Sequence, residues 1–499
     1  MRRASQRPIE SSGGLSGASG WVPHIVFVFG MVWVLWSVGA LLTGGSELVA
    51  FYAVAGWFAV LALTYLGLYG VRGGALFAAP VLLTIEALVD FFGIPTWRFV
   101  TGDDQVDPAY VRAMFLILIG FTAFWIGTLL LMRDARFRFA PRTKTTSDRV
   151  IAMSSIFFVL GLGAKLVLWK TGLLAYTADL NLQDSTLPAV QWLDTVAGTL
   201  NAALLVSAIE VLGKKSKAPF IRFIFFASVV FSLTFGAISG MKGEILIPIL
   251  ILVLIYSITN ARIPRIALLF PLLPVLIFPF VTAYRNNLNN GYRSQVNTVA
   301  GLATVVQKSF TDVVESNLTL GEHAGYGFDA TTQRLSILGD VRDVIDLPDP
   351  SLLNGDEKVW MAPIYPFIPR FLWKGKPILD KGRRLSVALG RPNTTSSAST
   401  PIGDLYSLYG TWGVPVGMFI YGICMQIYMN SMRGALSENQ LFVYFVMLNG
   451  FLNLEKDVVT QVAGIVTLGL IAFILAYVIY GRSPSALRPV RSPRLMGRP

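Results

Sequence analysis

The sequence predicts an all-α, polytopic integral membrane protein of about twelve transmembrane helices with one large external loop. Three observations lead there. Hydrophobic residues make up 54% of the 499 and charged residues only 14%, against about 25% charged in an average soluble domain. Mean hydropathy is +0.60. Apolar runs of about 20 residues, the length needed to cross a bilayer, recur along the chain, and the connections between them alternate in charge. This composition excludes a soluble globular enzyme, a disordered chain and a fibrous repeat. A single cysteine, Cys424, excludes a disulfide framework and a multi-cysteine metal site. Two histidines, His24 and His323, exclude a histidine-rich metal centre. The sequence calls for no metal and no cofactor.

The apolar segments fall at 22–43, 48–70, 74–94, 111–132, 150–169, 188–212, 219–238, 243–259, 266–284, 402–430, 441–454 and 457–480. Each is expected to be helical, because lipid offers no partner for an unpaired backbone amide. Residues 1–21 are Ser/Gly-rich and read as a tail rather than a signal peptide. The segment at 441–454 is interrupted by Asn449 and Asn453 and followed by Glu455, Lys456 and Asp457, so 441–480 also reads as a helix pair dipping into the bilayer.

Orientation comes from the connections. Arg2, Arg3 and Arg7 precede the first span. Arg133, Arg136, Arg138, Arg142, Lys144 and Arg149 crowd 133–149, and Lys214, Lys215 and Lys217 follow the sixth span. Arg262 and Arg265 follow the eighth, and five arginines mark the tail at 481–499. With twelve spans these clusters share one side, and the positive-inside rule makes it the cytoplasm, with both termini there. Basic clusters flanking spans are topology determinants, so no nucleic-acid partner is expected despite the net charge of +12. The chain divides into a tail (1–21), nine spans (22–284), a large extracytoplasmic loop (285–400), three spans (401–480) and a basic tail (481–499). The loop mixes basic and acidic residues with Trp360, Tyr365, Phe367, Phe371 and Trp373, and its apolar periodicity at 299–320 and 334–347 predicts short helices.

The residues that could carry chemistry gather on that side. In Pro363–Pro377 four prolines fix the backbone and alternate with aromatics and with Arg370, Lys374 and Lys376. Aromatic faces such as Trp373 pack on sugar rings, and cations donate charge-assisted hydrogen bonds to phosphate. The same composition fits an interfacial belt. Ser399–Met418 carries Asp404 and Tyr406 where the chain meets the membrane, and Gly403, Gly410, Gly413 and Gly417 permit close backbone approach. Asp404 either caps its helix or orients a hydroxyl or an arginine. Ser239-Gly-Met-Lys-Gly-Glu244 is a tight turn that places Lys242 in a hairpin. Arg285, Arg293 and Arg334 are further cations, either ligands or partners of the loop's acids. His323 is the external side chain whose ordinary pKa suits a general base, with Glu322 and Asp329 as loop alternatives. Glu86 and Asp90 lie one turn apart in the third span, where carboxylates are costly. Asp103, Asp104 and Asp107 form an acidic cluster in an early loop. No P-loop, GxSxG, HExxH or GxGxxG context is present.

At Pro369-Arg-Phe-Leu-Trp-Lys-Gly-Lys-Pro377, at Gly403-Asp-Leu-Tyr-Ser-Leu-Tyr-Gly-Thr-Trp-Gly413 and at Ser239–Glu244 the chain resembles bacterial oligosaccharide repeat-unit polymerases, the Wzy-type O-antigen and exopolysaccharide polymerases. Family members often carry Glu at the place of Asp404 and Arg at that of Lys242. The resemblance implies glycosyl transfer at the outer face of the bacterial inner membrane. The substrates would be undecaprenyl-diphosphate-linked glycans, and the partners a chain-length regulator and a flippase. For that reaction Asp404, by its position, and His323, by its chemistry, are the expected residues to handle the acceptor hydroxyl. The resemblance implies that Arg285, Arg293, Arg334, Arg370, Lys374, Lys376, Lys242, Trp373 and Tyr406 hold diphosphate and glycan. An O-antigen ligase shares this reaction type. A lipid-phosphate-sugar transferase would use Asp103 and Asp104. A transporter or flippase of lipid-linked sugars would place its cations within the spans.

Overall fold

The structure is a computed structural model of the full chain. It describes residues 47–71, 78–101, 105–132, 137–139, 141, 146–174, 192–260, 264–265, 272–314, 337–368, 372–373, 375–377, 379–391, 397–432 and 434–481. The expected segment at 22–43 lies outside them, as do most of the basic connection at 133–149 and the tail beyond 481.

Among the described residues nine helices are long and apolar enough to cross a membrane. They are α1 (Glu47–Val71), α2 (Ala79–Val100), α3 (Pro108–Leu131), α4 (Asp148–Lys170), α5 (Trp192–Gly213), α6 (Pro219–Ser239), α7 (Lys242–Asn260), α12 (Pro401–Ser431) and α14 (Val458–Tyr480). Shorter helices complete the set: α8 (Leu272–Asn287), α9 (Val299–Val314), α10 (Leu338–Asp346), α11 (Lys381–Ala388) and α13 (Glu438–Phe451). The protein is therefore a polytopic helical membrane protein. One feature lies outside the all-helical expectation. Phe137–Phe139 (β1) and Gly434–Leu436 (β2) pair in parallel as a two-strand ribbon. It closes backbone bonds where two connections meet at one end of the bundle.

Caps set many of the boundaries. Asp107 accepts from the Tyr110 amide at 2.8 Å to open α3, Ser147 from Val150 to open α4, and Asp457 from Thr460 at 2.7 Å to open α14. Each satisfies an amide that a helix N-terminus leaves without an intrahelical partner.

The helices define two ends of one bundle. α4 and α14 are antiparallel: Arg149 at the start of α4 donates to the Tyr477 carbonyl near the end of α14. α3 and the second part of α12 run the same way. Gly127 faces the Phe419 carbonyl and Gly422 faces the Phe124 carbonyl, both close enough that a Cβ would collide with backbone, and Asn430 donates to the Leu131 carbonyl at 2.9 Å. Small residues at a helix crossing allow such approach. The ribbon end holds Phe139, Gly213 and Thr259 in contact. There Lys214 joins Glu210 at 3.0 Å and Glu438 at 3.5 Å, all buried. The opposite end collects the starts of α3, α7 and α14, the ends of α4, α6 and α8, and the described parts of 285–400.

Two spans differ from their linear reading. α12 is broken at Gly410, whose φ of 67° and ψ of −162° lie in a region open essentially to glycine. Leu405 packs at the surface of Gly417 and Ile402 reaches Gly120 beside Val414 and Met418. A straight helix would hold Leu405 and Gly417 about 18 Å apart, so 401–409 folds back on the span that begins at 411. α13 has 14 residues, about 21 Å against a hydrocarbon core of about 30 Å. Irregular backbone follows at 452–457, with Leu454 buried. Gln461 donates to the Asn453 carbonyl and to the Tyr421 hydroxyl, which itself donates to the Phe451 carbonyl at 2.7 Å. Irregular backbone at membrane depth survives only where protein groups satisfy it in this way.

Candidate functional site

Two clusters sit at the loop end. The first is a corner built where α8 meets the α6–α7 hairpin. Gly240 turns the chain at φ 66°, a left-handed conformation that suits glycine. Ser239 braces the turn, its hydroxyl donating to the Gly236 carbonyl and accepting from the Met241 amide. Consecutive residues of α8 then clamp it. The buried Tyr284 hydroxyl donates to the Ile238 carbonyl at 3.0 Å, and Arg285 Nε donates to the Gly240 carbonyl at 2.7 Å. α7 begins at Lys242. Lys165, buried in α4, bonds Glu244 at 3.0 Å, so α4 is tied to the same hairpin. Trp169, one turn further along α4, donates to the Val296 carbonyl at 2.7 Å. Lys308 of α9 lies over the Tyr292 ring at 4.5 Å and donates to its hydroxyl at 3.0 Å. Arg285, Lys165, Lys308 and the start of α7 thus come from four helices.

The second cluster centres on Asp404. The N-cap of α12 is Thr400, whose hydroxyl accepts from the Gly403 amide at 2.9 Å. Thr400 is fully buried and its φ is 47°, a strained backbone for a β-branched residue. Asp404 faces inward with its side chain sealed from solvent. One oxygen pairs with Lys381 and the other accepts from the Val458 amide at 2.8 Å. Lys381 also donates to Asn354 Oδ1 at 2.7 Å and to the Ser407 hydroxyl at 2.8 Å, and Asn354 donates to the Ser407 carbonyl at 2.8 Å. Around it Arg384 makes a two-toothed pair with Glu357. Burial alone would raise the Glu357 carboxyl, but the Arg384 bonds and backbone amides outweigh it and hold it below its ordinary value. Arg342 of α10 pairs with Asp107 and Asp343, and Arg391 with Asp343. Burial again works against Asp107, and the Arg342 bonds again win, leaving its pKa lowered.

The expected site residues divide accordingly. Arg285 stands beside the turn that carries Lys242, 43 positions earlier in the chain; the Lys242 side chain lies outside the described residues. Arg293 is half-buried in the turn after α8. Asp404 does not cap its own helix, which Thr400 does; its buried side chain gives one oxygen to Lys381 and the other to the Val458 amide. Asp107 likewise spends its oxygens on a cap and on Arg342. Tyr406 is half-buried against Val344, Leu353 and Leu385. Trp373 packs on Tyr365 with centroids 5.8 Å apart, over Val459 at the start of α14, and Lys376 donates to the Ile368 carbonyl at 3.1 Å. His323, Arg334, Arg370 and Lys374 lie outside the described residues, with Asp103, Asp104, Glu322 and Asp329. Lys165 and Lys381 were not among the expected site residues. Lys165 carried a signal, as a cation at membrane depth. Lys381 carried none, since its partner lies 23 residues away.

Fold and clusters together define a polytopic helical membrane protein whose one end is assembled from a cation-bearing hairpin corner and a buried ion-pair network. The chain belongs to the family described as Domain of unknown function (DUF8712), which matches residues 96–442. The matched stretch includes Lys165, Arg285, Lys381 and Asp404 and ends before α14. No curated protein and no solved structure matches the chain.

Proposed function

We propose that this protein is a membrane glycosyltransferase that polymerises undecaprenyl-diphosphate-linked oligosaccharide repeat units at the outer face of the bacterial inner membrane. The observation that carries the reading is the bond from Arg285 to the Gly240 carbonyl. It joins the hairpin motif that resembles the polymerases to a second cation motif. The junction lies at the end of the bundle that also holds the long connection between α8 and α12.

In this reading the chain has twelve spans, 285–400 is extracytoplasmic and both termini are cytoplasmic. Lys214, Lys215, Lys217 and Arg149 lie at the opposite, ribbon end, as the positive-inside rule requires. The acceptor hydroxyl attacks the anomeric carbon of the donor glycan. The new C–O bond forms as the bond to the diphosphate oxygen breaks, the hydroxyl proton passes to a base, and undecaprenyl diphosphate leaves. The leaving diphosphate gathers negative charge, which preplaced cations stabilise. Arg285 and Lys242 take that part, joined by Arg293, Arg334, Arg370, Lys374 and Lys376, and Trp373 and Tyr406 flank the glycan. His323 is the base. Asp404 is a positioning residue that holds 401–409, α11 and the start of α14 together. The test is extension of a purified lipid-linked repeat unit by the reconstituted protein, with product length read on a gel. A ladder of products supports the reading, and transfer of one finished glycan to a lipid acceptor without a ladder points to a ligase.

A further inference from the structure

Helix α9 is amphipathic in an unusual way. At about 100° per residue, its side chains sort into three arcs. Val305, Ser309 and Leu302 point toward protein: the first two are buried, and Leu302 packs among Ala164, Leu168, Trp169 and Phe235 at the ends of α4 and α6. Gln307, Thr311, Thr304, Lys308 and Asp312 form a polar arc. Val299, Ala303, Val306, Phe310 and Val314 fall within about 80° of one another and form an apolar stripe centred about 130° around the helix from the polar arc. That stripe is bare: Val299 is 68% exposed, Phe310 63% and Val314 56%.

A helix with only protein and water beside it needs two kinds of face, and α9 has three. Its level in the molecule identifies the third neighbour. Trp169, in the last turn of the span α4, donates to the Val296 carbonyl at 2.7 Å, three residues before α9 begins. Leu302 joins α9 to the last turns of α4 and to Phe235 of α6. The helix therefore leaves the bundle where spans end. Exposed aromatics mark the same end: Trp192 opens α5, and Tyr409 and Trp412 flank the break in α12. Trp and Tyr gather at the level of lipid headgroups.

We propose that α9 lies in the plane of the membrane interface, with its apolar stripe seated on bilayer acyl chains, its polar arc turned to water and its third face docked on α8 and the ends of α4 and α6. A surface helix with opposed apolar and polar faces takes this orientation in a bilayer. The occupant is ordinary bilayer lipid. The stripe continues the lipid-facing surface of the spans it leans on, where Val159, Leu166, Phe223 and Phe226 are also exposed. The inference depends on the membrane embedding alone and stands independently of the enzymatic reading.

Spin labelling tests it. Cys424→Ser removes the native thiol, and single cysteines at 299, 306, 310 and 314 report on the stripe, with 304 and 307 on the polar arc. The labelled protein is reconstituted in phosphatidylcholine and phosphatidylglycerol vesicles, and collision with oxygen, which concentrates in lipid, is compared with collision with a water-soluble nickel chelate. The expected result is a several-fold higher oxygen-to-nickel ratio at 306, 310 and 314 than at 304 and 307. Nickel access along the stripe would place it in water and overturn the proposal. Labels there that are immobile and closed to both agents would place it against protein, a second copy included, and overturn it equally. A variant that fails to reconstitute is replaced by the neighbouring stripe position, 303.

Discussion

The two clusters at the loop end handle charge differently: ion pairs dominate around Asp404, whereas the hairpin corner combines one pair, Lys165 with Glu244, with cations that also meet neutral groups. Around Asp404 charges meet their opposites: Lys381 with Asp404, Arg384 with Glu357, Arg342 with Asp107. At the hairpin corner, Arg285 is held by a backbone carbonyl and Lys308 by a tyrosine hydroxyl and ring face. A buried reciprocal pair consumes its charge in holding the fold. These bonds fix where the two cations sit. On the proposed function the first cluster holds the fold and the second meets the diphosphate, and that comparison can be broken residue by residue.

The largest expected effect is at Asp404. Asp404→Ala strands the Lys381 ammonium in a sealed site, which costs about 3–5 kcal/mol. The expected outcome is a sharp drop in folded protein, read by size-exclusion profile and melting temperature in detergent. Replacing both partners, Asp404→Leu with Lys381→Met, removes the stranded charge and should recover most of that loss. If the double variant folds yet makes no polymer, Asp404 does more than position.

Gly410 comes next. Gly410→Val forces a β-branched residue into a conformation open essentially to glycine, at a cost on the order of 1–3 kcal/mol. The melting temperature should fall, since 401–409 could no longer fold back on the span at 411. An unchanged melting temperature would argue against the break. Thr400→Asn works in the other direction. Asn caps a helix well and tolerates positive φ, so the variant should melt at or slightly above the parent.

The smallest effect concerns pH. The carboxyls of Asp107 and Glu357 are held below their ordinary values, so the folded state binds protons less readily than the unfolded one. Their contribution is in place above the ordinary carboxylate range and is lost as pH falls through and below about 4. The melting temperature should decline over that window, and Glu357→Gln should flatten the decline.

Much of this was legible in the sequence, for identifiable reasons. Hydropathy marked the long spans because lipid leaves helices no alternative, and the glycines at 410, 413 and 417 announced close approach. The fold-back of 401–409 was not legible, because a run with a glycine at its centre reads alike whether it continues or reverses. Asp404 stood out in the sequence but its partners did not: Lys381 and the Val458 amide are brought to it by tertiary folding. α13 read as a weak span because Asn453 to Asp457 form irregular backbone beyond its end, with Leu454 and Asp457 buried and Glu455 and Lys456 exposed. The pairing of β1 with β2 carried no signal, as three residues on each side are too few for a strand pattern.

The central claim is that the hairpin corner acts on the diphosphate while the Asp404 network only holds the site. Extension of a purified lipid-linked repeat unit by reconstituted Arg285→Ala and Arg285→Lys tests it most directly, with melting temperature measured alongside. The account predicts that the alanine variant folds but yields no ladder, and that lysine restores only short products, since an ammonium lacks the bidentate fork of a guanidinium. A full-length ladder from Arg285→Ala would contradict it.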